Sequence, residues 1–184
     1  MNPPTIEAGK AEWRTWAEGR RLQIDFPTVS RLVTAHLLEW RPLHDAGAVL
    51  IYLPLATEID LTALIDVGVP CVATRTPERG GALTLHALGG ALERHRYGFL
   101  QPAADAPPVE AVDVDLVLTP GLVFGRSGSR LGRGAGYYDE LFTRLPNAYR
   151  VGVVPSPLVV SAVPVEKHDV SMHALATELG ISVL

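Results

Sequence analysis

At 184 residues, 47% of them hydrophobic, the chain is long enough to bury one core without disulfides or a structural metal, and a single cysteine excludes an internal disulfide. A formal net charge of -4 argues against a general nucleic-acid surface but leaves room for a local basic cluster that holds a phosphate. No run reaches the roughly 18 apolar residues that would span a bilayer, and Met1-Asn2-Pro3-Pro4 does not open a secretory signal, so a cytoplasmic protein is expected.

Lys10 to Arg21 reads as a polar, basic helix with Trp13 and Trp16 on one face, where they can dock it on the body of the protein. Thr28 is the expected cap of a second helix, in which Val29, Leu32, Val33, His36, Leu37 and Trp40 repeat at helical spacing, and Pro42 is expected to stop it. The continuous apolar run Ala46 to Leu53 predicts a strand covered on both faces. Asp60 can cap a short helix over Leu61 to Asp66, and Val69 to Ala73 predicts a second buried strand. Cys71, inside an apolar run, reads as a small buried side chain rather than a reactive thiol. Gly81 to Leu88 alternates and predicts a strand near the sheet edge, and Asp105 to Val112, with its paired prolines, predicts a loop. Val114 to Leu118 is a third apolar strand. A loop dense in glycine and arginine, Gly125 to Gly136, leads to a helix over Tyr137 to Leu145. Strands over Tyr149 to Val154 and Ile181 to Leu184 complete the order. Strands alternating with helices imply a three-layer, Rossmann-like α/β domain over 1–184, with a mostly parallel sheet between helices and an N-terminal helix (about 5–21) packed on it.

The segment Arg130-Leu131-Gly132-Arg133-Gly134-Ala135-Gly136-Tyr137-Tyr138-Asp139 carries the chemistry. Its glycines allow close approach of backbone to a ligand, and amides at a helix N-terminus can point at phosphate oxygens. Arg130 and Arg133 add fixed charge with bidentate geometry. Asp139, in the first turn of the helix, can hold Mg²⁺ against phosphates or simply complement the helix dipole. The loop lacks the Gly-Lys-Ser/Thr ending of a Walker loop and the dinucleotide fingerprint, so phosphate binding stands beside a plain glycine-rich turn. The histidines offer no metal-ligand spacing; His168 and His173 are five apart.

Pro120-Gly121-Leu122-Val123-Phe124, Gly128 and the run from Arg130 to Asp139 closely resemble the signature of 5-formyltetrahydrofolate cyclo-ligases, also called methenyltetrahydrofolate synthetases. Shorter matches are spread over the chain: Lys10 and Arg14 on the first helix, Leu53 and Glu58, Arg75, Tyr97, and Pro164 to Asp169. The resemblance implies an ATP- and Mg²⁺-dependent closure of 5-formyltetrahydrofolate to 5,10-methenyltetrahydrofolate. It places ATP on Lys10, Ala11, Glu12, Trp13 and Arg14 and on Arg130, Leu131, Gly132, Arg133, Gly134, Ala135, Gly136, Tyr137 and Tyr138. The reduced folate falls on Leu53, Glu58, Tyr97, Arg133, Gly134, Ala135, Gly136 and Tyr137. Lys10 and Arg133 take the catalytic roles, and Asp139 takes the metal. The implied partners are small molecules, with no nucleic acid and no membrane, and the chain is expected as a monomer or weak homodimer. Two positions depart from the family pattern: Gly125 and His173 stand where relatives carry Asp. They leave open a non-catalytic nucleotide-binding relative, or an ATP-dependent enzyme acting on another small molecule.

Overall fold

The structure, a computed structural model, describes residues 2–76, 82–96 and 98–184. Helices α1 (Lys10–Arg21), α2 (Phe26–Leu38) and α3 (Arg41–Asp45) open the chain. Strand β1 (Val49–Leu50) leads through α4 (Ala63–Asp66) to β2 (Cys71–Arg75) and β3 (Thr84–Ala87). A hairpin of β4 (Leu92–Arg94) and β5 (Leu100–Pro102) precedes β6 (Leu116–Pro120). There follow β7 (Val123–Gly125), β8 (Arg130–Leu131), α5 (Tyr137–Arg144), β9 (Tyr149–Val153), β10 (Val159–Val160), β11 (Ala174–Thr177) and β12 (Gly180–Val183).

Seven strands form the central sheet in the order β12-β11-β9-β6-β1-β2-β3. The five inner strands are parallel, with Val49 opposite both Cys71 and Leu116, and antiparallel β12 and β3 close the two edges. The order runs one way from β1 and the other way from β6, so the gap between those two neighbours is a topological switch point. A small sheet, β10-β7-β8, stands apart from the main one.

Alternation along each inner strand divides the core in two. Val49 and Ile51, with Leu116 and Leu118, pack with Val33 and Leu37 of α2 and Leu64 of α4. Leu50 and Val117 face the other way, toward Trp13 and Trp16 of α1, Leu141 and Phe142 of α5, and Phe124 of the small sheet. This is the three-layer α/β arrangement, and Trp13 and Trp16 dock α1 as their spacing predicts, edge to face at 5.8 Å.

Several boundaries differ from the sequence reading. Asp25, not Thr28, caps α2: its carboxylate accepts from the Thr28 amide at 3.3 Å, and Pro27 occupies the first turn. Pro42 does not stop α2, which ends at Leu38; it sits in the first turn of α3, where a missing N–H costs nothing. The long apolar run at Ala46 to Leu53 pairs only at Val49–Leu50, although Ala48 to Tyr52 are all buried. The edge strand β3 falls inside the predicted segment, whose Gly81 lies outside the described residues.

Candidate functional site

A cleft of about 610 Å³ opens at the carboxyl ends of β1, β2 and β6, over the switch point. Tyr52 and Leu53 reach it from the end of β1, Thr74 and Thr76 from β2, and Pro120 and Gly121 from β6. Its lining divides by character. One set of lining residues is charged and glycine-rich, with Lys10, Arg14, Asp139, Glu166, His168, Asp169 and the segment 130–138. The other is mostly apolar, with Leu53, Leu55, Leu83, Phe99 and Leu100.

The glycine-rich loop is built by the short β7–β8 hairpin, which turns at Gly128 (φ 90°) and delivers Arg130 and Leu131 to the cleft edge. Leu131 is buried, and its carbonyl accepts from the Leu122 amide at 2.8 Å, fixing the start of the loop. Gly134 (φ 100°) and Gly136 (φ 72°) both take the left-handed conformation that side chains resist. A Cβ on Gly134 would stand 3.1 Å from the Arg14 guanidinium, so glycine here lets helix α1 close on the loop. Gly136 is the N-cap of α5 and offers no side-chain cap, which leaves the first amides of that helix without a capping oxygen. Amides so placed, beside arginines, are suited to an anion.

Three of the cations here are matched by carboxylates, those of Lys10 and Arg133 from distant parts of the chain and that of Arg130 from nearby α5. Lys10 donates to Asp169 at 2.8 Å and lies 3.4 Å from Glu166. Arg133 Nε lies 3.3 Å from Glu58, whose other oxygen accepts from the Leu55 amide at 3.0 Å. Arg130, with its side chain only 7% exposed, donates to both oxygens of Asp139 at 2.9 and 3.0 Å and lies over the rings of Tyr138 and Phe142. Arg14 instead donates to the Gly132 carbonyl at 3.1 Å. Burial alone would raise the Asp169 carboxyl, but the bonds from Lys10 and the Glu166 amide outweigh it and hold it below its ordinary value. Burial, reinforced by the Glu58 charge, pushes the Tyr52 and Tyr138 phenols well up, so both stay protonated donors.

The structure brings Lys10, Arg14, Leu53, Glu58, all of 130–138 and Asp139 to one cleft. It does not bring Ala11, Glu12 or Trp13 there: the first two are exposed on α1 away from the cleft, and Trp13 is buried in the core, its indole bonded to the Thr5 carbonyl. Tyr97 lies outside the described residues. Gly125 is buried in the small sheet, opposite Val160, and His173 lies beside Arg150 at the start of β9, the end of the parallel strands opposite the cleft. Sequence reasoning missed Tyr52, Thr74, Thr76, Phe99 and Leu100 as lining residues. Thr74 and Thr76 were findable, as polar residues ending a buried strand. Phe99 and Leu100 carry no such signal, because their hairpin has no alternation long enough to read. Among the described residues no group of three or more His, Cys, Asp or Glu side chains is placed to hold a metal.

Comparison with known proteins gives a consistent picture. Residues 23–178 match the model of the 5-formyltetrahydrofolate cyclo-ligase family. A 5-formyltetrahydrofolate cyclo-ligase of Mycolicibacterium smegmatis is 33% identical over 189 aligned residues, covering 99% of this chain and 89% of its own. The NMR structure of the 5,10-methenyltetrahydrofolate synthetase of Aquifex aeolicus superposes with a TM-score of 0.84 at 27% identity, covering 95% of this chain and 92% of that one. A 5,10-methenyltetrahydrofolate synthetase from Mycoplasma pneumoniae shares the fold, with a TM-score of 0.73 at 15% identity, covering 93% of this chain and 99% of that one.

Proposed function

Because this chain belongs to the 5-formyltetrahydrofolate cyclo-ligase family, we propose that it converts 5-formyltetrahydrofolate and ATP into 5,10-methenyltetrahydrofolate, ADP and phosphate. Ring closure has to remove the formyl oxygen, which is a poor leaving group as hydroxide. Attack of that oxygen on the γ-phosphorus forms the new O–P bond and breaks the bond to ADP. The N10 amine then attacks the activated carbon and loses its proton, and the C–O bond breaks to release phosphate. Such a reaction asks the protein for alignment and charge neutralisation rather than for a nucleophile.

The observation that carries this reading is that a single cleft is lined both by a cationic, glycine-rich set of residues and by a mostly apolar set. In the proposal the triphosphate lies along Arg130–Tyr138 and the α5 amides, with Lys10 and Arg14 reaching over from α1. Arg133 and Lys10 neutralise the transferring phosphoryl group. The folate head lies toward Leu53, Leu55, Phe99 and Leu100, with Glu58 as its polar partner. Lys10 and Arg133 hold carboxylates in the free protein, so ATP would exchange these contacts for its own oxygens.

Mg²⁺ fits this donor set only as a companion of the nucleotide, since the described residues form no cage for it. Asp139 is the carboxylate we assign to it, at the cost of loosening the Arg130 pair. Bound there, the ion would screen the phosphate charge. In the proposal the chain works as one domain over 1–184, as a monomer or weak homodimer in the cytoplasm. No described helix is long and apolar enough to cross a membrane.

The case for a non-catalytic relative rests on the carboxylates missing at Gly125 and His173, and neither residue lines the cleft. The test mixes protein, MgATP and 5-formyltetrahydrofolate and follows methenyl absorbance. Absorbance growth that needs both substrates supports the proposal, and nucleotide binding without product would return the chain to a binding module.

A further inference from the structure

The β4–β5 hairpin supplies Phe99 and Leu100 to the cleft, yet each of its strands is only three residues long. An isolated ribbon of this size is marginal in water, so its position must come from what ties it to the sheet. The tie is a polar cluster behind the wall. Arg75 lies between Thr74 and Thr76, which both line the cleft, and strand alternation turns it away from them. Its guanidinium pairs with Glu93 on β4 and donates to the Pro102 carbonyl on β5 at 2.7 Å, so one side chain grips both strands. Gln101, buried at 3% exposure and directly opposite Glu93, donates to the same carboxylate at 3.0 Å and accepts from the Thr76 amide at 3.1 Å. The His95 ring stacks on the cleft-lining Phe99 at 4.5 Å.

We propose that Arg75, with Glu93 and Gln101, is a positioning residue that sets the distance of the Phe99–Leu100 wall from the glycine-rich loop, and so controls capture of the reduced folate without touching it. The proposal rests on reading the apolar side as the folate side and the glycine-rich side as the ATP side. Phe99 and Leu100 come from the hairpin, whereas the glycine-rich lining comes from the β8–α5 segment, with Lys10 and Arg14 from α1. Loosening the hairpin therefore moves one wall and leaves the phosphate site intact. Both contacts are made by one terminal nitrogen, Nη1, held in place by a long side chain with a planar guanidinium, which the compact ammonium of lysine replaces only in part.

The experiment compares the parent with Arg75→Met, Arg75→Lys and Glu93→Ala, by steady-state kinetics and by hydrogen exchange of the intact proteins. Arg75→Met should raise KM for 5-formyltetrahydrofolate about tenfold while KM for ATP stays within about twofold. Arg75→Lys should recover part of the loss, and Glu93→Ala, on the exposed hairpin, should repeat its direction if Arg75→Met fails to fold. Amides over 92–102 should exchange faster in Arg75→Met while those of β6 and α5 do not change. Both KM values rising together, or an unchanged folate KM, would overturn the proposal. So would parent-like exchange over 92–102, and that readout needs no turnover. A parent that makes no methenyl product would defeat the functional reading itself, and hydrogen exchange would then decide the clamp alone.

Discussion

Gly125 and His173 both replace an expected Asp, and the structure gives them opposite physical meanings. A Cβ on Gly125 would land on the Ser129 hydroxyl and stand 3.3 Å from the Ala162 backbone, inside a buried turn of the small sheet. His173 is frustrated as it stands. Its Nδ1 faces the Arg150 amide at 3.0 Å and its Nε2 faces the Arg150 guanidinium at 2.8 Å. Both neighbours only donate, and a neutral imidazole has one accepting nitrogen, so one ring N–H meets a donor in either tautomer. Gly125→Asp should therefore cost about 1–3 kcal/mol from overpacking. His173→Asp should add about 0.5–1 kcal/mol by giving Arg150 a carboxylate at a partly exposed site. Burial first, then the Arg150 charge, lowers the His173 pKa in the folded chain. Its contribution is thus fully present above the unfolded value of about 6.5 and is lost as pH falls through the folded one. Urea unfolding should show the parent losing stability as pH drops below about 6.5, and His173→Asp losing less. Parallel curves would contradict this. From sequence alone the two departures looked alike, because only the third dimension shows that neither borders the cleft.

At the scale of elements, what the sequence made legible was whatever a period could carry. The helical repeat of α1 and the apolar runs of β2, β6 and β9 emerged close to their expected places. The hairpin β4–β5, the paired strands β7, β8 and β10, and β11 did not. Segments of two to four residues hold too few side chains for alternation to register, and their pairing is decided by distant partners such as Val159 with Phe124. Helix α5 is the element on which the proposed function turns. Its first turn carries Asp139, bonded to Arg130 on β8 rather than free. In Asp139→Asn the size persists while the charge is lost. If the carboxylate serves Mg²⁺ on the nucleotide, as proposed, the Mg²⁺ concentration needed for half-maximal turnover should rise at least about tenfold. A parent-like Mg²⁺ titration, with only a lower melting temperature from the unpaired Arg130, would reduce Asp139 to a support for that arginine.

For the molecule as a whole, the reversal of strand order between β1 and β6 opens one cleft to two flanks, one for each proposed substrate. The crossovers diverge there. One flank receives the glycine-rich loop after β6, the other the hairpin after β3, and α1 closes over the first with Lys10 and Arg14. The central claim is that ATP and the formyl group meet in this cleft and exchange a phosphoryl group. The measurement that tests it most directly uses 5-formyltetrahydrofolate labelled with ¹⁸O in the formyl group, incubated with protein and MgATP. The released phosphate and the folate product are then read by mass spectrometry. Attack of the formyl oxygen on the γ-phosphorus predicts one labelled oxygen in each phosphate, in step with methenyl product. Unlabelled phosphate, or phosphate released without ring closure, would contradict it.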